Sequence, residues 1–374
     1  MRRMLWAGIG GGLLLAAAVL LALTVFAQVD GPDHGIFCQT AGRDLEVIGV
    51  VAGSRWSAAG FREGDRIQAI DGQPDSLLDR LYAIKMAQQP GGRHRFEVQR
   101  GGRVTEFAFD GGPTTASVLN PVNLAIFAEV LVKLVFLAAA AYFLFLFRPE
   151  GVVSRLSAAL FLLLALLTPF FQLNLAYLLS EFGLAAGSAL LAIELLVCFL
   201  PAVVAALGTL LPPTEAPVVR PRFVLRALLA VLGVLYASYL YVGADFLGRL
   251  DRAPQPEALL RFFPVFRILN DAFMLLLVGG AVGGLMVMMT NLQRLQATQR
   301  LSAFQRLLGL FTLGLALPLI AGIAMAAAGW QYTPAYGLRK LAYVLFPLLY
   351  IQAVHYFTRR PDDAPHDAVP DPPR

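Results

Sequence analysis

Hydrophobic and polar positions divide the chain into one polar block and a series of long apolar runs. The runs are Leu5–Phe26, Asn120–Phe147, Leu156–Leu179, Leu184–Leu211, Phe223–Val242, Ile268–Leu292, Leu307–Gly329 and Leu341–Phe357. A helix needs about 20 apolar residues to cross the hydrocarbon core of a bilayer, so the pattern predicts about eight crossings. The first run, preceded by Arg2 and Arg3, has two readings: a retained signal anchor, or a signal peptide cleaved after Val25-Phe26-Ala27. It exceeds the apolar core of about 7–15 residues usual in cleaved signals, which favours an anchor over residues 1–29. Residues 113–358 are expected to form a bundle of the other seven helices. The tail PDDAPHDAVPDPPR, within 359–374, has nothing to bury and is expected to be disordered.

The polar block, residues 30–112, changes period. LEVIGVV (Leu45–Val51) is a β-branched apolar run, and RIQAIDG sets Ile67, Ala69 and Asp71 opposite Gln68 and Ile70. That alternation predicts a half-buried strand leaving through an Asp-Gly turn. SLLDRLYAIKM (Ser76–Met86) has helical spacing, with Leu77, Leu81 and Ile84 along one stripe. RFEVQRGGRVTEFAF reads as a hairpin about Gly101-Gly102. The expected architecture is thus a membrane all-α polytopic bundle carrying a small α+β domain.

Composition agrees: 57% of residues are hydrophobic and 15% charged, against about 25% charged in soluble domains. The net charge of +5 acquires meaning from its placement. Arg2 and Arg3, Arg148 and Arg155, Arg220, Arg222 and Arg226, Arg294, Arg300 and Arg306, and Arg359 and Arg360 fall on one side of an eight-span layout. By the positive-inside rule that side is cytoplasmic, which puts both termini inside and the polar block outside a bacterial-type inner membrane. The opposite side is less basic, Gly243–Arg267 mixing Asp245, Asp251 and Glu257 with arginines, and Arg339 and Lys340 are the exception, at the outer start of the last run. No basic patch is interleaved with stacking aromatics, which argues against a nucleic-acid partner. The two cysteines, Cys38 in the polar block and Cys198 in an apolar run, lie in different phases and are not expected to pair.

The stretch GSRWSAAGFREGDRIQAIDGQ, residues Gly53–Gln73, resembles the signature segment of PDZ domains. Gly53, Ser54, Ala59, Gly60, Phe61, Gly64, Asp65, Ile67, Ile70 and Gly72 stand at matching positions. Arg55-Trp56 replaces the usual Pro-Ala, and Trp56 is expected to pack on the domain's surface rather than alter its lip. The resemblance implies an extended peptide added to a sheet edge, with backbone N–H groups holding a terminal carboxylate. HGIF (His34–Phe37) is the match to the carboxylate loop. The implied peptide-binding residues are therefore Gly35, Ile36, Phe37 and Cys38, with Leu77, Leu81 and Tyr82 on the facing helix; the alternative is an ordinary turn in a PDZ-like fold without a ligand. The whole layout is similar to the sensing region of some bacterial membrane histidine kinases and related signalling phosphatases. FRPEG (Phe147–Gly151) and the Gln-rich stretch Asn291–Pro318 carry that likeness. The kinase motifs are absent from this chain, so a signalling output implies a partner kinase or phosphatase.

The sequence carries none of the catalytic patterns of intramembrane proteases. The four histidines, His34, His94, His355 and His366, form no His-Glu-x-x-His. Ala186-Gly187-Ser188-Ala189 has the wrong spacing for a rhomboid-type serine, and the only Gly-Asp lies in the PDZ-like signature. No enzyme activity, metal or cofactor is expected. Charges within the spans are costly and mark either helix–helix contacts or a proton- or ligand-sensitive site. They are Glu129 and Lys133, spaced for pairing on one helix face, Glu194, and Asp271. GGAVGG (Gly279–Gly284) predicts close helix packing. The leading expectation is a non-enzymatic membrane sensor or scaffold that binds a peptide or protein segment outside the membrane. The alternatives are a transporter or channel-like bundle with an accessory PDZ domain, and a cofactor presenting substrates to a protease.

Overall fold

The computed structural model describes residues 2–29, 35–41, 44–72, 93–111, 121–147, 151–167, 185, 187–212, 221–252, 256–295, 297–328 and 334–358. Its first element is α1 (Arg2–Val29). A small antiparallel sheet follows, with strands β1 (Ile36–Ala41), β2 (Asp44–Val50), β3 (Arg66–Ile70), β4 (Arg93–Arg100) and β5 (Arg103–Asp110). They lie side by side in chain order, and a single helical turn, α2 (Arg55–Ala58), sits between β2 and β3. The expected hairpin forms: Arg100 pairs with Arg103 across Gly101 and Gly102, whose φ values of 56° and 82° match the strand twist as other residues rarely do.

Trp56 departs from the expectation of a surface position: it has no exposed surface. Its ring stacks on Phe109 at 3.8 Å between centroids and meets Phe61 and Phe96 edge-on at 5.1 and 5.4 Å. It is therefore the centre of the sheet's core, joined by Leu45, Val47, Ile67 and Val98. Truncating such a residue costs about 3–5 kcal/mol. Ser54 begins α2 by accepting from Ser57 N at 3.1 Å, which replaces a hydrogen bond the first turn lacks.

One expectation about β3 is corrected. The alternation predicted one buried face, but Ile67 and Ala69 on one side and Ile70 on the other are all buried. The register against β4 shifts between Ile67 and Ala69, and such a bulge breaks the two-residue alternation. The helix expected over Ser76–Met86 lies outside the described residues, as does the tail 359–374.

The remainder is helical: α3 (Pro121–Ala141) continued by a π-helical turn at Tyr142–Leu146, α4 (Val152–Leu166), and α5 (Gly187–Leu210) with a tight 3₁₀ stretch at Leu195–Phe199. Then come α6 (Pro221–Arg252), α7 (Pro256–Gln293), α8 (Ala297–Phe311), a second π-helical turn at Thr312–Ala316, and α9 (Leu317–Ala327). A short α10 (Pro334–Leu338) passes through a 3₁₀ stretch, Arg339–Val344, into α11 (Leu345–Thr358). Among the described residues, six helices are long and apolar enough to cross a membrane: Phe127–Leu146, Gly187–Leu210, Arg226–Asp245, Ile268–Gln293, Arg300–Ala327 and Arg339–Thr358. Gly8–Val19 and Val152–Leu166 are shorter apolar helices.

Helix ends differ from the apolar runs. α6 continues to Arg252, α7 starts at Pro256, and the Gln-rich stretch is helical on both sides of residue 296. Apolar runs mark only the part of a helix that needs lipid, whereas Leu, Gln and Arg carry it on by intrinsic preference.

Side-chain contacts fix helix directions. Ser157 bonds Tyr350 at 2.8 Å and Phe161 meets Phe346, so α4 and α11 are antiparallel. Arg306 lies 4.5 Å over the Tyr356 ring and Gly314 packs on Phe346, so the α8–α9 unit also opposes α11. Between α5 and α7 the backbones nearly touch. A Cβ on Gly208 would lie 2.5 Å from Gly284 Cα, and one on Gly280 would lie 3.0 Å from Pro201 O. The GGAVGG segment thus serves close packing, through Gly280 and Gly284.

Candidate functional site

Two places combine the expected chemistry: the edge of the sheet and a charged cluster among the helices. At the first, β1 is a terminal strand, and among the described residues it pairs only with β2, from Ile36↔Val50 to Ala41↔Asp44. Gly35 is enclosed just before it, its carbonyl accepting from Val51 N at 2.8 Å. Ile36 is buried in the sheet's core, while Phe37 and Cys38 are half-buried. Burial pushes the Cys38 thiol up to about 12, so at neutral pH it remains a thiol and a weak nucleophile. Leu77, Leu81 and Tyr82 lie outside the described residues.

The signature residues behind this edge hold it in shape. Asp65, only 1% exposed, receives Arg100 Nε and Nη2 at 2.6 and 2.7 Å, and Arg62 N at 2.8 Å. Arg100 also donates to Gly60 O at 2.8 Å and lies 5.0 Å from the Phe107 ring centroid. One guanidinium therefore ties the Gly60–Asp65 turn to β4 and β5. The Asp65 partner raises the Arg100 pKa.

At the end of β3, Asp71 adopts φ 54°. It accepts from Arg95 N at 2.8 Å and meets His94 Nδ1 at 2.7 Å. Desolvation opposes ionisation there, but the Arg95 N–H and His94 outweigh it and hold the carboxyl below its ordinary value.

The second place lies between α3, α5 and the start of the last helix. Glu129 and Lys133 pair at 3.1 Å, as their spacing predicted. The same carboxylate receives Lys340 Nζ at 2.6 Å. Lys133 is buried and within electrostatic reach of Glu194, which is also buried. The structure thus brings together Glu129, Lys133 and Glu194, adds Lys340, and leaves Asp271 apart, exposed on α7. Sequence reading did not connect Lys340 to this group. Its signal was present as the exception to the charge rule, a basic residue where few were expected.

At the other end of the same helices, Tyr142 OH and His355 Nε2 lie 2.5 Å apart, with the Phe147 ring edge-on to His355 at 4.6 Å. The Ser154 hydroxyl reaches the Phe143 and Phe147 carbonyls, which supports the π-helical turn from outside. Contact of α3 with the last helix at both ends, Glu129 to Lys340 and Tyr142 to His355, makes the two parallel. Cys38 and Cys198 are free thiols. Among the described residues no three His, Cys, Asp or Glu side chains gather as a metal would require.

No protein-family model, no curated protein and no solved structure matches the chain.

Proposed function

We propose that the chain is a non-enzymatic membrane sensor or scaffold whose PDZ-like domain binds an extended peptide or protein segment by strand addition at β1. The observation that carries this reading is the sheet order, which leaves β1 at an edge; Ile36 and Phe37 of the HGIF segment, expected in a loop ahead of the strand, are its first two residues. An edge strand offers unpaired N–H and C=O groups, and a peptide satisfies them with main-chain hydrogen bonds. The Asp65–Arg100 clasp and the Trp56 core supply a rigid frame, so little ordering has to occur on binding.

The layout we favour has eight crossings. Parallel packing of α3 and α11 requires an odd number of crossings between them. Four long spans lie in that interval, so α4 is assigned as the fifth although its 15 residues cover only about 22 Å. With α1 this puts both termini on one side, together with the arginine clusters, and the sheet on the other. The domain then samples the space outside a bacterial-type inner membrane, and the bundle passes its occupancy to a kinase or phosphatase partner.

A peptide library presented to the full chain in nanodiscs tests the binding role. Selected peptides should bind the native chain and lose at least tenfold affinity to a Cys38→Pro variant, which deletes one N–H from β1. Equal binding to both would remove the edge from consideration. An impermeant maleimide on Glu63→Cys in intact cells tests orientation, and labelling only after lysis would overturn it.

A second reading is favoured by the charged group of buried Lys133 and Glu194 with half-buried Glu129 and Lys340: a transporter-like bundle whose path these residues line. Liposome flux abolished by Glu194→Gln would support it, and absence of flux in the native chain would dismiss it.

A further inference from the structure

We infer that the C-terminal end of α5 and Asn291 of α7 form a binding site for a small monovalent cation such as sodium or potassium. The argument begins with two prolines. Carbonyls of Gly208 and Thr209 would normally accept from the N–H groups four residues on, but those residues are Pro212 and Pro213, which have none. The helix cannot satisfy these oxygens itself. Leu211 N is already spent on Leu207 O at 3.0 Å, and the Thr209 hydroxyl on Ala206 O at 2.7 Å.

Asn291 sits over this end with no exposed surface. Its Nδ2 donates to Thr209 O at 3.3 Å, longer than the usual 2.9–3.0 Å of such bonds. Its Oδ1 is fully enclosed and has no hydrogen-bond partner. A buried carbonyl oxygen left unpaired costs about 1–3 kcal/mol, and native structures rarely tolerate one without a reason. The place therefore holds an orphan amide oxygen, with Thr209 O against the other arm of the same amide, at the negative end of a helix dipole.

That chemistry selects a class of ligand. Among the described residues the oxygens here are neutral carbonyl, amide and hydroxyl groups, which suit a monovalent hard cation, whereas divalent ions favour sites that include carboxylates. Helix C-terminal carbonyls meet such ions in membrane bundles. A half-turn of the Asn291 amide, whose two ends are nearly alike in shape, brings Oδ1 beside Thr209 O with the cation between them. The backbone contact of Gly208 with Gly284 holds α5 and α7 close enough to share it. Of the next arginines along the chain, Arg294 is exposed and Arg300 donates to the carbonyls of Gln293 and Leu295 at 2.5 and 3.0 Å.

Thermal unfolding of the full chain in detergent, at equal ionic strength in sodium, potassium or N-methylglucamine chloride, tests this. The midpoint should be higher in at least one alkali cation and rise with the logarithm of its concentration above Kd. Asn291→Leu should abolish the difference. Asn291→Asp keeps an oxygen and loses the donor: a cation site predicts that it retains or enlarges the salt-specific shift, whereas a plain helix cap predicts equal destabilisation in every salt. Identical midpoints in the three salts for the native chain, or a cation-specific shift surviving in Asn291→Leu, would overturn the inference. Should Asn291→Leu not fold, the native and Asn291→Asp proteins alone decide it.

Discussion

Replacing Glu129 by Gln takes one half-buried carboxylate from two ammonium groups while leaving the shape of the side chain. At an effective dielectric near 20, the attraction of Glu129 for Lys133 at 3.1 Å is about 5 kcal/mol, and for Lys340 at 2.6 Å about 6 kcal/mol. Most of this offsets the desolvation of the same groups, so the pairs add little net stability. Loss of the shared partner is another matter. Lys133, whose side chain is 7% exposed, remains buried as a cation with only the more distant Glu194 to balance it. Lys340, a quarter exposed, recovers part of its hydration. The expected destabilisation is about 3–5 kcal/mol, the range for breaking a buried pair, and Lys133 should account for most of it. Adding Lys133→Met to Glu129→Gln should therefore recover more than half of the loss, whereas adding Lys340→Met should recover less. Equilibrium unfolding of the full chain in mixed micelles reads both double-mutant cycles. A single-variant cost below about 1 kcal/mol, or a double variant no more stable than Glu129→Gln, would refute the placement of this cluster inside the bundle.

Three further outcomes are expected. Arg100→Ala strands Asp65 without its cation in the core and should destabilise the sheet domain by about 3–5 kcal/mol; Asp65→Asn, which leaves a half-exposed Arg100 able to reach water, should cost distinctly less, as read by amide exchange of the strands. Gly208→Ala drives a methyl into the Gly284 backbone and should lower the thermal midpoint, while Gly279→Ala, with no atom within 4 Å of the added carbon, should leave it unchanged or slightly raised. Asp71 has a lowered carboxyl pKa, so its contribution is present above the unfolded value near 3.9 and is lost as pH falls through the folded value; Asp71→Asn should flatten the acid limb of the domain's stability below about pH 4.

The Glu129 cluster also shows how a departure in sequence acquires an explanation. Arg339 and Lys340 break the pattern of basic residues gathered at one end of the helices. Lys340 is tolerated because Glu129 neutralises it across a helix contact more than two hundred residues away in the chain. A rule that counts charges in loops has no access to that pairing. The same limit applied to Ile70, set opposite Ile67 and Ala69 by alternation yet buried with them beside a bulge, and to Trp56, whose stacking on Phe109 depends on where β5 lies.

What the sequence determined by itself are features governed by neighbours within a few residues. These include the apolar runs, the strands of the polar block, the Gly101-Gly102 hairpin and the Glu129–Lys133 pair. Each is local because helix and strand periodicity, turn conformation and i,i+4 contact are set by the chain's own geometry. Tertiary structure alone decided the partners: Lys340 with Glu129, His355 with Tyr142, Arg100 with Asp65, and Asn291 with the proline-capped end of α5. Those contacts join residues far apart in sequence, and their energies depend on distance and burial, which no single stretch of residues encodes.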